Sequence, residues 1–171
     1  MNPLQLSHQL RQEHNPELDS RRWIIGLSLL GATMGQIVSL YQTGLIDRLP
    51  DLPLPFLDSA KVDASRYAYS RFNAPDGPMM VANYAFTAWL ASTGGKNRAQ
   101  ETPLLPIAMA AKLIFDALVS AELAREEWAE NRAFCQYCQV ATLASFASVA
   151  IAVPEVLTAL RALTAHAPSS R

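Results

Sequence analysis

Asp, Glu, Lys and Arg are absent from three long stretches of the chain. None occurs in the 24 residues 23–46, the 19 residues 77–95 or the 22 residues 133–154. Each stretch is close to the roughly 20 residues that a helix needs to cross the hydrocarbon core of a bilayer. A soluble helical bundle needs a polar face along every helix, so the pattern favours a membrane protein and leaves a soluble helical protein as the alternative.

Other absences argue against several kinds of binding site and against a cleaved signal peptide. The net charge of −1 provides no basic surface for nucleic acid. The first apolar stretch is too long for the core of a cleaved signal peptide, and no A-x-A-like site follows it. The chain has only two cysteines, Cys135 and Cys138, and no histidine or acidic cluster at the spacing of a zinc site, so we expect no bound metal. A c-type haem is excluded because Gln139, not histidine, follows the second cysteine.

A fourth apolar run, 103–121, contains only Lys112 and Asp116 as charges. The sequence therefore predicts an all-α integral membrane protein with a bundle of four transmembrane helices. The predicted order is an N-terminal tail (1–20), a membrane domain (21–163) and a C-terminal tail (164–171). Within the domain we expect helices over about 21–46, 77–94, 103–128 and 133–163, with a long loop over 47–77. Asp19 and Ser20 could cap the first helix, and Pro154 should kink the fourth or end its membrane part.

The charges between the spans suggest an orientation. Arg21 and Arg22 adjoin the first span, where the positive-inside rule has most force, and acids are concentrated on the opposite side. We therefore expect a multi-pass protein of the plasma (inner) membrane, with both termini cytoplasmic. The long loop and the Cys-x-x-Cys sequence should lie near the outer face.

Two patterns within the spans each have two interpretations. Gly31 and Gly35 form a small-xxx-small motif, which allows either a dimer contact or close packing inside the chain's own bundle. Lys112 and Asp116 are spaced i,i+4, so they form either a functional pair or a structural pair that neutralises itself.

The segment FCQYCQ (134–139) predicts redox chemistry. Two cysteines separated by two residues at a helix start can form a disulfide, and free amide N–H groups there favour the reactive thiolate by lowering the thiol pKa. The apolar residues that follow would seat a lipid-soluble partner. The alternative is a pair of buried structural thiols.

Four spans, a long first loop and a Cys-x-x-Cys opening the fourth span resemble the vitamin K epoxide reductase family. The resemblance rests on SLYQTGLI after helix 1, LDSAKVDASRYAYS in the loop, PDGPMMVANYAF at helix 2 and FCQYCQVATLAS at helix 4. It implies a membrane thiol–disulfide oxidoreductase of bacterial type that uses a quinone. By this resemblance Cys138 faces the quinone and Cys135 exchanges with an upstream thiol. Ser65 and Asp76 match positions near the substrate, the latter in a loose alignment.

The chain departs from the family in its loop. The family pattern C-x-x-V-x-x-S maps onto residues 59–65, so Ser59 occupies the position of a redox cysteine, and the usual loop partner is absent too. A serine hydroxyl cannot form a disulfide. The resemblance therefore implies that electrons come from an external thiol protein, such as a thioredoxin-like partner. The alternative function is a redox-inactive four-helix membrane protein that binds a ligand or a partner.

Overall fold

The protein, described by a computed structural model over residues 2–166, is built from helices. They are α1 (Pro3–Gln12), α2 (Pro16–Gln42), α3 (Ser59–Asp63), α4 (Arg66–Tyr69), α5 (Asp76–Ser92), α6 (Arg98–Glu101), α7 (Leu104–Asn131) and α8 (Gln136–His166). Within residues 2–166 the only strand-like pairing is one isolated bridge between Leu57 and Phe134. The predicted all-α class is confirmed. Residues 167–171 of the predicted C-terminal tail lie outside the described part.

The first long helix begins earlier than expected. It starts at Pro16 because the Asn15 side chain caps it, accepting a hydrogen bond from the Leu18 amide at 2.6 Å. Asp19 therefore lies inside the first turn, and the cap expected at Asp19 and Ser20 was wrong. At the other end of the chain, α8 continues through Pro154 to His166, so the proline does not end it.

Three helices are long and apolar enough to cross a membrane: Pro16–Gln42, Leu104–Asn131 and Gln136–Ala165. They correspond to the first, third and fourth predicted spans. The second, α5, has 17 residues, which is at the lower limit of the length a span needs. Large apolar side chains on the outside of the bundle, including Trp23, Trp89, Phe115 and Leu143, are 60–69% exposed, as expected for surfaces that contact lipid.

The core of the bundle forms where α2 packs against α5 and α8, and α7 packs against α8. A Cβ on Gly31 would lie 2.6 Å from the Tyr84 ring of α5, and one on Gly35 would lie 3.1 Å from the Val81 nitrogen. The small-xxx-small motif thus allows α2 to approach α5 within one chain. The Lys112–Asp116 pair also forms within the bundle, where the Lys112 ammonium further contacts Thr87.

Buried charges join the helices at the end of the bundle that carries α1 and the α5–α6 turn. Arg98 and Glu155, each 1% exposed, form a bidentate ion pair with N–O distances of 2.7 and 2.9 Å. Arg21 is also 1% exposed. Its guanidinium donates to the backbone carbonyls of Ala91, Thr93, Gly94 and Gly95. These arginines therefore link the helices, a role that the charge count along the sequence did not predict.

The loop between α2 and α5 covers the opposite end. It contains α3 and α4, which were not predicted. The loop is attached to the start of α8 because Phe134 N donates to Phe56 O (2.8 Å) and Asp58 N donates to Phe134 O (3.1 Å). Leu49, Val62 and Tyr67 of this loop are buried against Val38 and Cys135. The loop is therefore a packed lid over the Cys-x-x-Cys end of the bundle.

Candidate functional site

The two cysteines lie where α8 begins. Cys135 immediately precedes the helix, and its carbonyl accepts the first α8 hydrogen bond from Gln139 N at 3.0 Å. Both cysteines are free thiols, and Cys138 N donates to the Cys135 sulfur at 3.3 Å. Cys135 is fully buried, whereas Cys138 is half-buried. The structure therefore brings together the two residues that the sequence predicts as the redox pair.

The Glu127 side chain of α7 is hydrogen-bonded to the start of α8. Its Oε1 accepts a hydrogen bond from Cys135 N, and its Oε2 accepts one from Gln139 Nε2 at 3.0 Å. The side chain is 2% exposed although it belongs to the last turns of α7. In the sequence Glu127 is one of several acids outside the apolar spans, so its contact with the start of α8 was not predicted. Its position eight residues before Cys135 was the available signal of this contact.

Ser59, at the position where the family resemblance expects a redox cysteine, contacts the same helix start. Its hydroxyl accepts a hydrogen bond from Gln136 N at 2.9 Å and donates to the Asp51 carboxylate. Asp51 also accepts a bond from Ser59 N at 2.8 Å. Hydrogen bonds thus join the two parts of the loop to each other and to α8, but they cannot carry electrons.

Asp63, at the end of α3, lies close to both thiols. One ligand atom each of Asp63, Cys135 and Cys138 lies within 4.8 Å of the other two. Asp63 is 1% exposed, and its Oδ2 has no hydrogen-bond partner in the described part of the chain. Burial raises the pKa of Asp63 to about 7.

The thiol environment differs from the expectation for a helix start. Burial raises the pKa of the Cys135 thiol above its usual value, and the nearby Asp63 carboxyl group adds to the increase. The expected lowering of a thiol pKa by free amide groups was therefore wrong for Cys135. The physical reason is that Gln136 N already donates to Ser59, and that desolvation outweighs the donation from Cys138 N. At neutral pH the Cys135 proton must be removed before the sulfur can react.

An apolar cavity of about 240 Å³ lies beside Cys138, between α2, α5, α7 and α8. Its apolar walls include Val38, Met80, Leu123 and Ala141, and Cys138 is part of the lining. Phe115, which also lines it, is 65% exposed on the outside of the bundle, so the cavity reaches the surface that faces lipid. A cavity of this kind is typical of a small-molecule site.

The polar side chains in the cavity wall include Arg71, Asp76 and Asn83. Arg71 Nη2 pairs with Glu126 at 2.5 Å, whereas Arg71 Nη1 is a buried donor without a hydrogen-bond partner within residues 2–166. Asp76 accepts a hydrogen bond from Gln42 at 2.7 Å. Asp76 was predicted from the sequence as a substrate contact, whereas Arg71 and Asn83 were not. A single arginine in a loop and a single asparagine in an apolar run form no pattern that indicates a binding site.

Ser65, the other predicted substrate contact, lies at the junction of α3 and α4. Its hydroxyl donates to the carbonyl of Val62 at 2.6 Å, and it is not among the residues that line the cavity. Its role as a substrate contact stays a prediction. The same holds for the roles predicted for Asp76 and the two cysteines.

The donor set near the cysteines does not match a structural zinc site. Such sites have four ligands, whereas this group offers two sulfurs and one carboxylate. Both oxygens of the neighbouring Glu127 are engaged in hydrogen bonds. We therefore assign no metal to these residues.

Comparison with known proteins identifies one family. No curated protein and no solved structure matches the chain. The sequence profile of the vitamin K epoxide reductase family matches residues 22–153, which include α5, α7, most of α2 and the cysteine pair. With three apolar helices long enough to cross a membrane and a thiol pair at the head of the last one, the chain belongs to the vitamin K epoxide reductase family.

Proposed function

We propose that the protein is a membrane thiol–disulfide oxidoreductase that couples Cys135 and Cys138 to a quinone, with electrons supplied by an external thiol protein. The observation that carries the proposal is the position of Cys138. It lines an apolar cavity that reaches the lipid-facing surface, while Cys135 lies behind it under the loop. A quinone is apolar, diffuses in the bilayer and accepts two electrons and two protons.

The polar groups of the cavity fit a ligand of this kind. A quinone ring is apolar and has two carbonyl oxygens that accept hydrogen bonds. Arg71 Nη1 is a buried guanidinium donor that has no acceptor among residues 2–166, and the Asn83 side-chain amide offers a second donor in the same wall. Because an unsatisfied buried donor is costly, a ligand oxygen at Arg71 would gain a charge-assisted hydrogen bond.

The source of electrons must lie outside the chain. Ser59 cannot form a disulfide, and Cys135 and Cys138 are the only cysteines. Cys135 is fully buried beneath the lid that α3 and α4 form, so a partner thiol protein can reach it only after the lid opens. We propose a thioredoxin-like protein as the partner. It would act at the outer face of the plasma (inner) membrane, with both termini of this chain cytoplasmic and α5 as a fourth span.

The direct test is oxidation of the purified, reduced protein in detergent by a short-chain ubiquinone. Thiols are counted after denaturation, by the gel shift that a maleimide polymer causes. We expect both thiols of the wild type to disappear together, and single thiols to persist in Cys135→Ser and Cys138→Ser. A wild-type dithiol that remains reduced at saturating quinone refutes the coupling.

A matched pair of variants tests the cavity. Arg71→Gln removes the unpaired donor, while Glu126→Gln weakens the same ion pair from outside the cavity lining. We expect Arg71→Gln to raise the quinone concentration for half-maximal oxidation by about tenfold or more, because a hydrogen bond to a charged group contributes about 1.5–3 kcal/mol. Glu126→Gln should leave that concentration nearly unchanged. Equal effects of the two variants would remove Arg71 from the binding site.

The second candidate is a redox-inactive membrane protein that keeps the fold to bind a ligand or a partner. The complete burial of Cys135 and the replacement of the loop cysteine by Ser59 favour it. The Cys135→Ser, Cys138→Ser double variant separates the two functions. An unchanged cellular phenotype, with unchanged quinone binding, would support the second candidate.

A further inference from the structure

Asp63 is the carboxyl group best placed to exchange a proton with the dithiol. A carboxyl oxygen of Asp63 and the sulfurs of Cys135 and Cys138 all lie within 4.8 Å of one another, and Cys135 and Asp63 are 0% and 1% exposed, respectively. Bulk water therefore does not reach the thiol in this arrangement. A disulfide cannot form until the thiol proton leaves, because thiolate is the reactive form. The proton must pass to a protein group.

The other acids around the pair are already engaged. Glu127 accepts hydrogen bonds on both oxygens, from Cys135 N and Gln139. Asp51 accepts hydrogen bonds from Ser59, and Asp76 accepts one from Gln42. In contrast, Asp63 keeps Oδ2 without a partner in the part of the chain that the structure describes. Asp63 thus combines a position close to the Cys135 sulfur with an oxygen that no described residue occupies.

We propose that Asp63 is the catalytic base and acid of the cysteine pair, a role that rests on the proposed thiol–disulfide function. Its carboxylate takes the Cys135 proton when the disulfide forms, and its carboxyl group returns a proton to Cys135 when an incoming thiol reduces the disulfide. Because Asp63 itself exchanges the proton with a reacting sulfur in this proposal, the role is catalytic.

The step balances as follows. Oxidation breaks two S–H bonds and forms one S–S bond between Cys135 and Cys138. Two electrons leave the sulfurs for the quinone, which takes up two protons in the net reaction to give the quinol. The Cys135 proton moves to Asp63, which then releases it, and this release accounts for one of those two protons. The Cys138 proton, which leaves its sulfur beside the quinone, accounts for the other. Reduction by a partner dithiol reverses the transfer at Asp63.

The electrostatic surroundings suit proton exchange near neutral pH. The titratable groups that act on Asp63 come from every packed element. They are Asp51 in the loop, Tyr69 of α4, Asp76 of α5, Glu127 of α7 and the two cysteines. Burial is the main reason that the pKa of Asp63 rises to about 7, where a general base is most effective, and the charges of Asp76 and Asp51 add to the increase. The neighbouring Cys135 thiol acts in the opposite direction and offsets part of this increase.

The experiment measures single-turnover disulfide formation from pH 5.5 to 9, with a short-chain ubiquinone and, separately, with diamide as a quinone-independent two-electron oxidant. The wild-type rate should rise with pH and level off above an inflection near 7. Asp63→Asn should be about a hundredfold slower at pH 7, because general bases contribute about 10²–10⁴-fold, and should lose this inflection. The control is Asp58→Asn, an exposed N-cap residue of the same helix, which should behave like the wild type.

The outcomes are distinct. An unchanged profile in Asp63→Asn overturns the proposal, and so does a uniform loss of rate that keeps the inflection, because that indicates a structural role. If Asp63→Asn does not fold, a wild-type profile without an inflection between pH 6 and 8 overturns it equally. Stoichiometric zinc in the reduced wild type that is lost in Cys138→Ser would also overturn it. Failure with quinone but an Asp63-dependent profile with diamide would refute the proposed function and leave this inference intact.

Discussion

Removing the Glu155 carboxylate should destabilise the bundle at the end opposite the cysteines. Glu155 is 1% exposed and binds Arg98, also 1% exposed, through two hydrogen bonds of 2.7 and 2.9 Å. Glu155→Ala leaves the Arg98 charge buried, with backbone carbonyls and the Met109 sulfur as its remaining acceptors. Breaking a buried pair by removing one partner costs about 3–5 kcal/mol.

The expected loss can be expressed as a melting temperature. About 1 kcal/mol shifts the Tm of a domain of 150–250 residues by roughly 2–4 °C, so Glu155→Ala should lower the Tm by about 6–20 °C. Thermal unfolding in detergent, followed by tryptophan fluorescence, measures it. Glu122→Gln is the matched control, because Glu122 pairs with Arg125 on the exposed surface of α7 and exposed pairs contribute little.

Two results would refute this reasoning. One is a Tm of Glu155→Ala equal to that of the wild type, and the other is an equal decrease in Glu122→Gln. A double variant, Arg98→Met with Glu155→Leu, removes both charges and should be more stable than Glu155→Ala, since no unpaired charge remains. Quinone-driven oxidation should persist in every variant that stays folded, because this pair lies outside the cavity lining.

Two further predictions use the same Tm measurement, and a third uses the free energy of unfolding measured as a function of pH. Gly31→Ala should cost about 1–3 kcal/mol, because its Cβ would overlap the Tyr84 ring, whereas Gly26→Ala, with nothing within 4 Å, should be neutral or stabilising; equal effects would contradict the packing of α2 on α5. Ser59→Ala should cost about 1–2 kcal/mol by leaving Gln136 N without its acceptor, and no change would mean that water replaces the hydroxyl. The folded-state pKa of Asp63, about 7, lies above its ordinary value, so the folded protein binds the extra proton between about pH 4 and pH 7. The free energy of unfolding should therefore fall by about 4 kcal/mol as pH rises through that window, and a slope that persists in Asp63→Asn would exclude this assignment.

Short-range patterns in the sequence were sufficient for the helices and the thiol pair. Apolar runs specify helices whatever they pack against, so the four long helices were predicted, with errors at their ends. The start of α2 was missed because a single capping residue, Asn15, outweighs the charged residues that follow it. The Cys135–Cys138 pair was evident because a Cys-x-x-Cys is a local motif.

Contacts between distant residues were not predictable in the same way. Ser59 and Gln136 are 77 positions apart, and Arg98 and Glu155 are 57 apart. No spacing rule connects such residues. The positive-inside rule uses Arg21 as a charge that orients the protein in the membrane, whereas its side chain is buried and binds the α5–α6 turn. Arg98, for which the sequence predicted no contact, is buried as well and binds the same turn and Glu155 of α8.

Composition and short-range sequence patterns were enough to specify the helical class, the apolar segments, the family and the position of the cysteine pair, because each of these depends on residues close along the chain. The tertiary structure alone decided that Cys138 lines a cavity and that Cys135 lies beneath a lid. It also placed a carboxyl oxygen of Asp63 within 4.8 Å of both cysteine sulfurs. Burial and hydrogen bonding set the reactivity of a thiol, and both arise only when α3, α7 and α8 pack together.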